Sequence, residues 1–188
     1  MKPGERPSSG CWLLRHDRPQ IAPGLCYGAS DVPLAIATAQ TLARVGARLP
    51  QGLPVYASPL QRCAALARAL SDTVHWHAGL REIDYGTWEM QPWDALDVQG
   101  WADDPFGYAF PGGESVPAFL ARVRAALSDL PPDVLVITHG GVIRAALHIL
   151  QGLPLAQAFA TPVPYGGVVC LAQERDLNAT PASFSPID

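Results

Sequence analysis

Two histidines and two arginines stand at or just after the ends of predicted strands. Arg15 and His16 close the apolar run that begins at Cys11 (C-W-L-L-R-H). Arg62 follows P-V-Y-A-S, Pro54 to Ser58, and His139 with Gly140 follows D-V-L-V-I-T, Asp133 to Thr138. Neutral imidazole is a nucleophile near pH 7. The planar fork of arginine suits a group with several anionic oxygens, phosphate above all. A carboxyl group beside them would protonate a departing oxygen, and Glu82 or Glu89 would serve. The chain has only 13 basic residues, so their gathering at strand ends is informative.

The elements that must position these groups alternate between strand and helix. Short strands are predicted at residues 11–15, 54–58, 74–76, 133–138 and 167–172. Helices are predicted at 34–49, at 59–70 with Ser58 as N-cap and Pro59 in the first position, at 114–130 and at 140–150. Residues 84–110 are rich in aromatics, Pro and Gly and predict short helices in a packed insertion. The alternation implies an α/β fold: a three-layer α/β/α sandwich around a mostly parallel sheet. Ligands of such sheets bind beyond the carboxyl ends of the strands, where the His and Arg clusters fall.

Composition sets the outer bounds. The 188 residues suit a single domain, with a core over about 11–173 and a polar, frayed tail from Asn178 to Asp188. A net charge of −4 lacks the basic footprint of a nucleic-acid binder. No apolar run reaches the ~18 residues of a membrane span. The polar N-terminus does not resemble a signal peptide. The four scattered cysteines, Cys11, Cys26, Cys63 and Cys170, read as reduced thiols. A cytoplasmic protein is expected. Its expected partner is a small phosphorylated metabolite, not nucleic acid or membrane, and a homodimer is left open.

Four motifs now carry a resemblance. L-L-R-H at Leu13 to His16, A-S-P-L-Q-R-C at Ala57 to Cys63, L-R-E-I-D-Y-G-T-W-E at Leu80 to Glu89 and V-I-T-H-G-G-V-I-R at Val136 to Arg144 resemble, in order and spacing, the histidine phosphatase superfamily. That superfamily has the phosphoglycerate mutase-like fold. P-G-G-E-S, Pro111 to Ser115, is a weaker fifth agreement. The resemblance implies that His16 is the phosphorylated nucleophile and that Arg15 and Arg62 bind the phosphoryl oxygens. His139 would donate a hydrogen bond to the same group. Glu82 would protonate the leaving group and later activate water. Gly140 would let the backbone approach the phosphate. No cofactor and no metal are implied.

Two residues depart from the family pattern. Asp17 stands where Gly usually follows the nucleophile, and its charge must point away from a phosphate, toward Arg18. Met90 stands where Gly is common. The stretch Gly24 to Leu34 (G-L-C-Y-G-A-S-D-V-P-L), with Cys26, Tyr27 and Gly28 as its substrate-loop candidates, looks most like the α-ribazole phosphatase branch of cobalamin assembly. An aromatic edge from Tyr85 to Phe110 could stack a base there.

Plainer readings stand beside these. His75 and His77 form an H-x-H pair with no evident third metal ligand, which fits a strand surface. His148 sits within a helix. Three functions stay open: a phosphomonoester hydrolase, a mutase or broad-specificity metabolite phosphatase, and a non-catalytic phosphate-binding module. Residues 89–109 contain no Lys or Arg, which favours hydrolysis over a mutase with a basic insertion.

Overall fold

The computed structural model describes residues 10–171. The polar N-terminus and the tail from Asn178 lie outside the described residues. Strands β1 (Cys11–Arg15), β2 (Val55–Ala57), β3 (Val74–Trp76), β4 (Val134–Thr138) and β5 (Val168–Leu171) form one sheet in the order β3-β2-β4-β1-β5. β1, β4, β2 and β3 pair in parallel, and edge strand β5 runs antiparallel to β1.

β4 shows why the sheet is covered on both faces. All five of its residues are buried. Val134 and Val136 join one core, Leu135 and Ile137 the other, as the two-residue period of a strand requires. Helices α1 (Thr38–Val45) and α2 (Gln61–Leu70) cover one face through Val45, Cys63 and Leu66. The short helix α3 (Gln99–Asp103) lies in the aromatic insertion. Helices α4 (Val116–Ser128), α5 (Gly140–Gln151) and α6 (Leu155–Ala160) cover the other face through Phe119, Ile143 and Ala158. The three-layer α/β/α arrangement expected from the sequence is present.

Several boundaries differ for identifiable reasons. α1 begins at Thr38 because residues before it are committed elsewhere. Leu34 bridges to Pro19, and Ala35 N–H donates to Arg18 O at 2.9 Å. α2 begins at Gln61, with Leu60 as its N-cap residue. Ser58 does not cap it; its hydroxyl accepts from Leu60 N–H at 3.3 Å and meets His139. The cap comes instead from Asp31, whose carboxylate takes Gln61 N–H at 2.6 Å. Helix α6 follows Pro154, where periodicity gave too short a signal.

The insertion folds as expected, with 3-10 turns at Gly86–Trp88 and Trp93–Ala95 before α3. Its aromatics pack on one another: Trp88 meets Trp93, Trp101, Tyr108 and Phe110. Trp88 and Phe110 are core residues, and Trp93, Trp101 and Tyr108 are half-buried against them, so most of the aromatic surface is spent on packing. His75 stacks on Tyr56, and His77 faces Asp129. His148 Nδ1 donates to Leu153 O at 2.8 Å, across the left-handed Gly152 that ends α5. Among the described residues no cluster could hold a metal ion, and no helix is long and apolar enough to cross a membrane.

Candidate active site

β1, β2 and β4 are neighbours, so their carboxyl ends lie side by side. His16 follows β1, Ser58 follows β2 and His139 follows β4. His16 and His139 are held edge to face, with ring centroids 5.1 Å apart. Both rings are buried, as is Arg62.

The tautomer of His16 follows from its contacts. Nδ1 lies 2.6 Å from the carbonyl oxygen of Asp17, which can only accept, so Nδ1 carries the proton. The lone pair is therefore on Nε2, where Arg62 Nε–H donates at 3.3 Å. Burial, reinforced by the charge of Arg62, lowers the His16 pKa to about 3. The ring is neutral at physiological pH, as a nucleophile must be.

His139 shares the same donor. Its Nδ1 lies 3.3 Å from Arg62 Nε, and its Nε2 lies 2.8 Å from the Ser58 hydroxyl. In this arrangement Nδ1 accepts from Arg62 and Nε2–H donates to Ser58. A hydroxyl can reverse its role. If Ser58 donates to Nε2 instead, Nδ1 can hold a proton for an incoming anion. Burial, then Arg62, keeps His139 neutral by driving its pKa well down.

The fork of Arg62 points elsewhere than expected. Its two terminal nitrogens donate to Gly28 O at 2.5 Å and Ser30 O at 2.7 Å. Only Nε–H is aimed between the two imidazoles. Arg15 contributes the larger share of unused donors. One terminal nitrogen donates to Val163 O, while its buried Nε has no hydrogen-bond partner among the described residues. Its guanidinium lies 4.0 Å above the Tyr165 ring. Gly140, the first residue of α5, makes room for this group, since a Cβ there would stand 3.2 Å from the Arg15 guanidinium.

Glu82 is fastened at the start of α5. Gly141 N–H donates to it at 2.9 Å and its neighbour Ile83 N–H at 3.1 Å. A Cβ on Gly141 would overlap a Glu82 oxygen. Glu89, the other carboxyl candidate, is fully committed. It accepts from the amides of Gly28, Ala29, Ser30 and Tyr85 and from the Ser30 hydroxyl. Those hydrogen bonds overcome burial and hold its pKa below the usual carboxylate value.

Asp17 points away from the crevice, as expected. Its carboxylate takes Arg18 N–H at 2.7 Å and the Thr41 hydroxyl at 2.8 Å, and its cationic partner is Arg44, not the Arg18 side chain. Met90, at φ 64°, is the only non-glycine with positive φ among the described residues. This is the conformation a glycine would adopt without strain.

The proposed substrate loop divides. Cys26 is fully buried in the core, and burial pushes its thiol up to about 12, so it is no crevice residue. Gly28 is required by space, since a Cβ would overlap Ile83 O. Tyr27 does reach the site: its ring lies 5.4 Å from the Arg62 guanidinium, and its hydroxyl lies 2.7 Å from that of Tyr165. Tyr165 was not legible as a site residue, because no motif marks it. Arg144 was legible only as the end of a motif. It sits half-buried beside Gly140 and donates from Nε to Thr161 O at 3.0 Å.

Two neutral imidazoles and two arginines at the strand ends of a parallel α/β sheet define an enzyme built to receive phosphate. The sequence profile of the histidine phosphatase superfamily (branch 1) matches residues 11–180. The chain is 26% identical to a putative phosphoserine phosphatase 2 of Hydrogenobacter thermophilus, over 88% of this chain and 90% of that one. It is 30% identical to a probable phosphoglycerate mutase of an Enterobacter species, over 76% and 75%. The crystal structure of a phosphoglycerate mutase from Thermus thermophilus superposes with a TM-score of 0.73 at 32% identity, over 95% of this chain and 99% of that one. The chain belongs to the histidine phosphatase superfamily and is an enzyme of the phosphatase class.

Proposed function

We propose that the protein hydrolyses phosphomonoesters through a phosphohistidine at His16. The observation that carries this reading is the Nδ1–H bond from His16 to Asp17 O, which leaves the Nε2 lone pair among Arg62, His139 and Arg15. Nε2 attacks phosphorus, the P–O ester bond breaks, and Glu82 gives its proton to the departing oxygen. Water then attacks phosphorus as the P–N bond breaks, Glu82 takes one of its protons, and inorganic phosphate leaves with His16 neutral again. His16→Ala should lower turnover by roughly 10⁴-fold or more. Acid-labile labelling of the chain by phosphorylated substrate should vanish with it. Near-normal turnover in that variant overturns the mechanism.

The substrate reading rests on the loop from Gly24 to Leu34. Its likeness to the α-ribazole phosphatase branch supports α-ribazole 5′-phosphate as substrate, with Tyr27 and Tyr165 as the aromatic surface beside the phosphate site. A stacked base is worth about 1–3 kcal/mol. The preference in kcat/KM over small phosphorylated acids should then be roughly ten- to a hundredfold. A second reading, a phosphatase for small phosphorylated acids, is favoured by Arg144 beside Arg15, where a substrate carboxylate would find a cation. It is also favoured by the relatives named for phosphoserine and phosphoglycerate. Measuring kcat/KM on α-ribazole 5′-phosphate, phosphoserine and 3-phosphoglycerate decides between them.

A further inference from the structure

We propose that Glu89 is a positioning residue that aims Arg62 at the phosphoryl site through the loop Gly28–Ser30; the catalytic meaning of this rests on the phosphatase reading above. Glu89 is held away from catalysis by five hydrogen bonds, four of them to residues Gly28, Ala29 and Ser30. Those bonds take the loop's amide protons. Arg62 takes the same loop's carbonyl oxygens at Gly28 and Ser30. The loop is therefore a short peptide bridge with a half-buried anion on its donor side and a buried cation on its acceptor side.

The consequence falls on Nε of Arg62. With both terminal nitrogens anchored, the guanidinium plane is set, and Nε–H is directed at His16 Nε2 and His139 Nδ1, 3.3 Å from each. A guanidinium on a free side chain would rotate and offer its fork instead. Two further features hold the loop in place. Gly28 packs against Ile83 O with no room for a side chain, and Asp31 caps α2 one residue before Arg62. Peptide dipoles aligned between opposite charges strengthen one another. Glu89 thus acts on a guanidinium to which no direct bond from it is found.

The test uses the full-length protein labelled with ¹⁵N. The Arg62 Nε–H resonance is assigned by its loss in Arg62→Lys, and its hydrogen exchange is measured alongside vanadate affinity. In Glu89→Ala the resonance should shift and exchange roughly tenfold or more faster, the loss expected when hydrogen bonds to a charged group are removed. Vanadate binding should weaken by about tenfold on the same ground. Glu89→Gln, which keeps one acceptor oxygen, should recover part of both. Ser30→Ala, a milder change, should move both in the same direction and serves if Glu89→Ala fails to fold. An unchanged Arg62 resonance and exchange rate in the folded variants overturns the proposal. The resonance reads the positioning whether or not the enzyme turns over, so failure of the phosphatase reading would leave this result intact.

Discussion

His16 Nδ1–H donates to the carbonyl oxygen of Asp17 at 2.6 Å, a bond between neighbours in sequence that decides which ring nitrogen keeps its lone pair. An ordinary histidine titrates near 6.5, and this one near 3. Above pH 6.5 the ring is neutral in folded and unfolded chains alike. Below it the unfolded ring takes up a proton that the folded ring refuses. Stability is therefore fully present above pH 6.5 and is lost as pH falls toward 3, at about 1.4 kcal/mol per pH unit for one ring. Denaturant unfolding at pH 7, 6 and 5 should show His16→Gln with a shallower loss than wild type by about that slope. Equal slopes would mean that His16 is not held neutral. His139, also depressed, adds to the loss in both proteins.

Glu82 should matter most for poor leaving groups. An alkoxide needs a proton as it departs, whereas p-nitrophenolate leaves largely unaided. Glu82→Gln should cost roughly 10²–10⁴-fold on alkyl phosphates and much less on p-nitrophenyl phosphate. Gly141→Ala, which drives a methyl group into the Glu82 carboxylate, should reproduce that leaving-group dependence in weaker form. Parallel losses on both substrate types would reduce Glu82 to a wall of the crevice.

Asp17 is a stability residue by its contacts. Its carboxylate is buried and takes three donors, from Arg18, Thr41 and Arg44. Asp17→Gly keeps the carbonyl that orients His16 and removes the carboxylate. It should lower unfolding stability by about 1–3 kcal/mol. kcat/KM should stay within about fivefold, under about 1 kcal/mol of barrier. A large activity loss at unchanged stability would assign Asp17 a part in catalysis.

Charge on the phosphoryl group can be met by Arg15, Arg62 and His139 without a metal. EDTA should leave turnover unchanged, and vanadate should inhibit in competition with substrate. Activity lost in EDTA and restored by Mg²⁺ or Zn²⁺ would show that a metal takes part.

The order of elements, the mostly parallel sheet and the gathering of His16, Arg62 and His139 at the strand ends were legible in the chain itself. Strand periods and strand-end chemistry are local properties, carried within a few residues of each group. The choice between Glu82 and Glu89 was not local. Both stand in one motif, and only the folded chain brings Gly28–Ser30 onto Glu89 and Gly141 onto Glu82. Ser58 has the composition of a helix cap, yet β2 and β4 are neighbours in the sheet, so it meets His139 instead. Tyr165 carries no signal of its own and Arg144 only that of closing a motif, because their value lies in standing beside Arg15, far away along the chain. Which groups could do the chemistry is written in residue types and their order along the chain. Which of them keep spare hydrogen-bonding capacity is settled by the fold, because that capacity depends on partners that only long-range packing supplies.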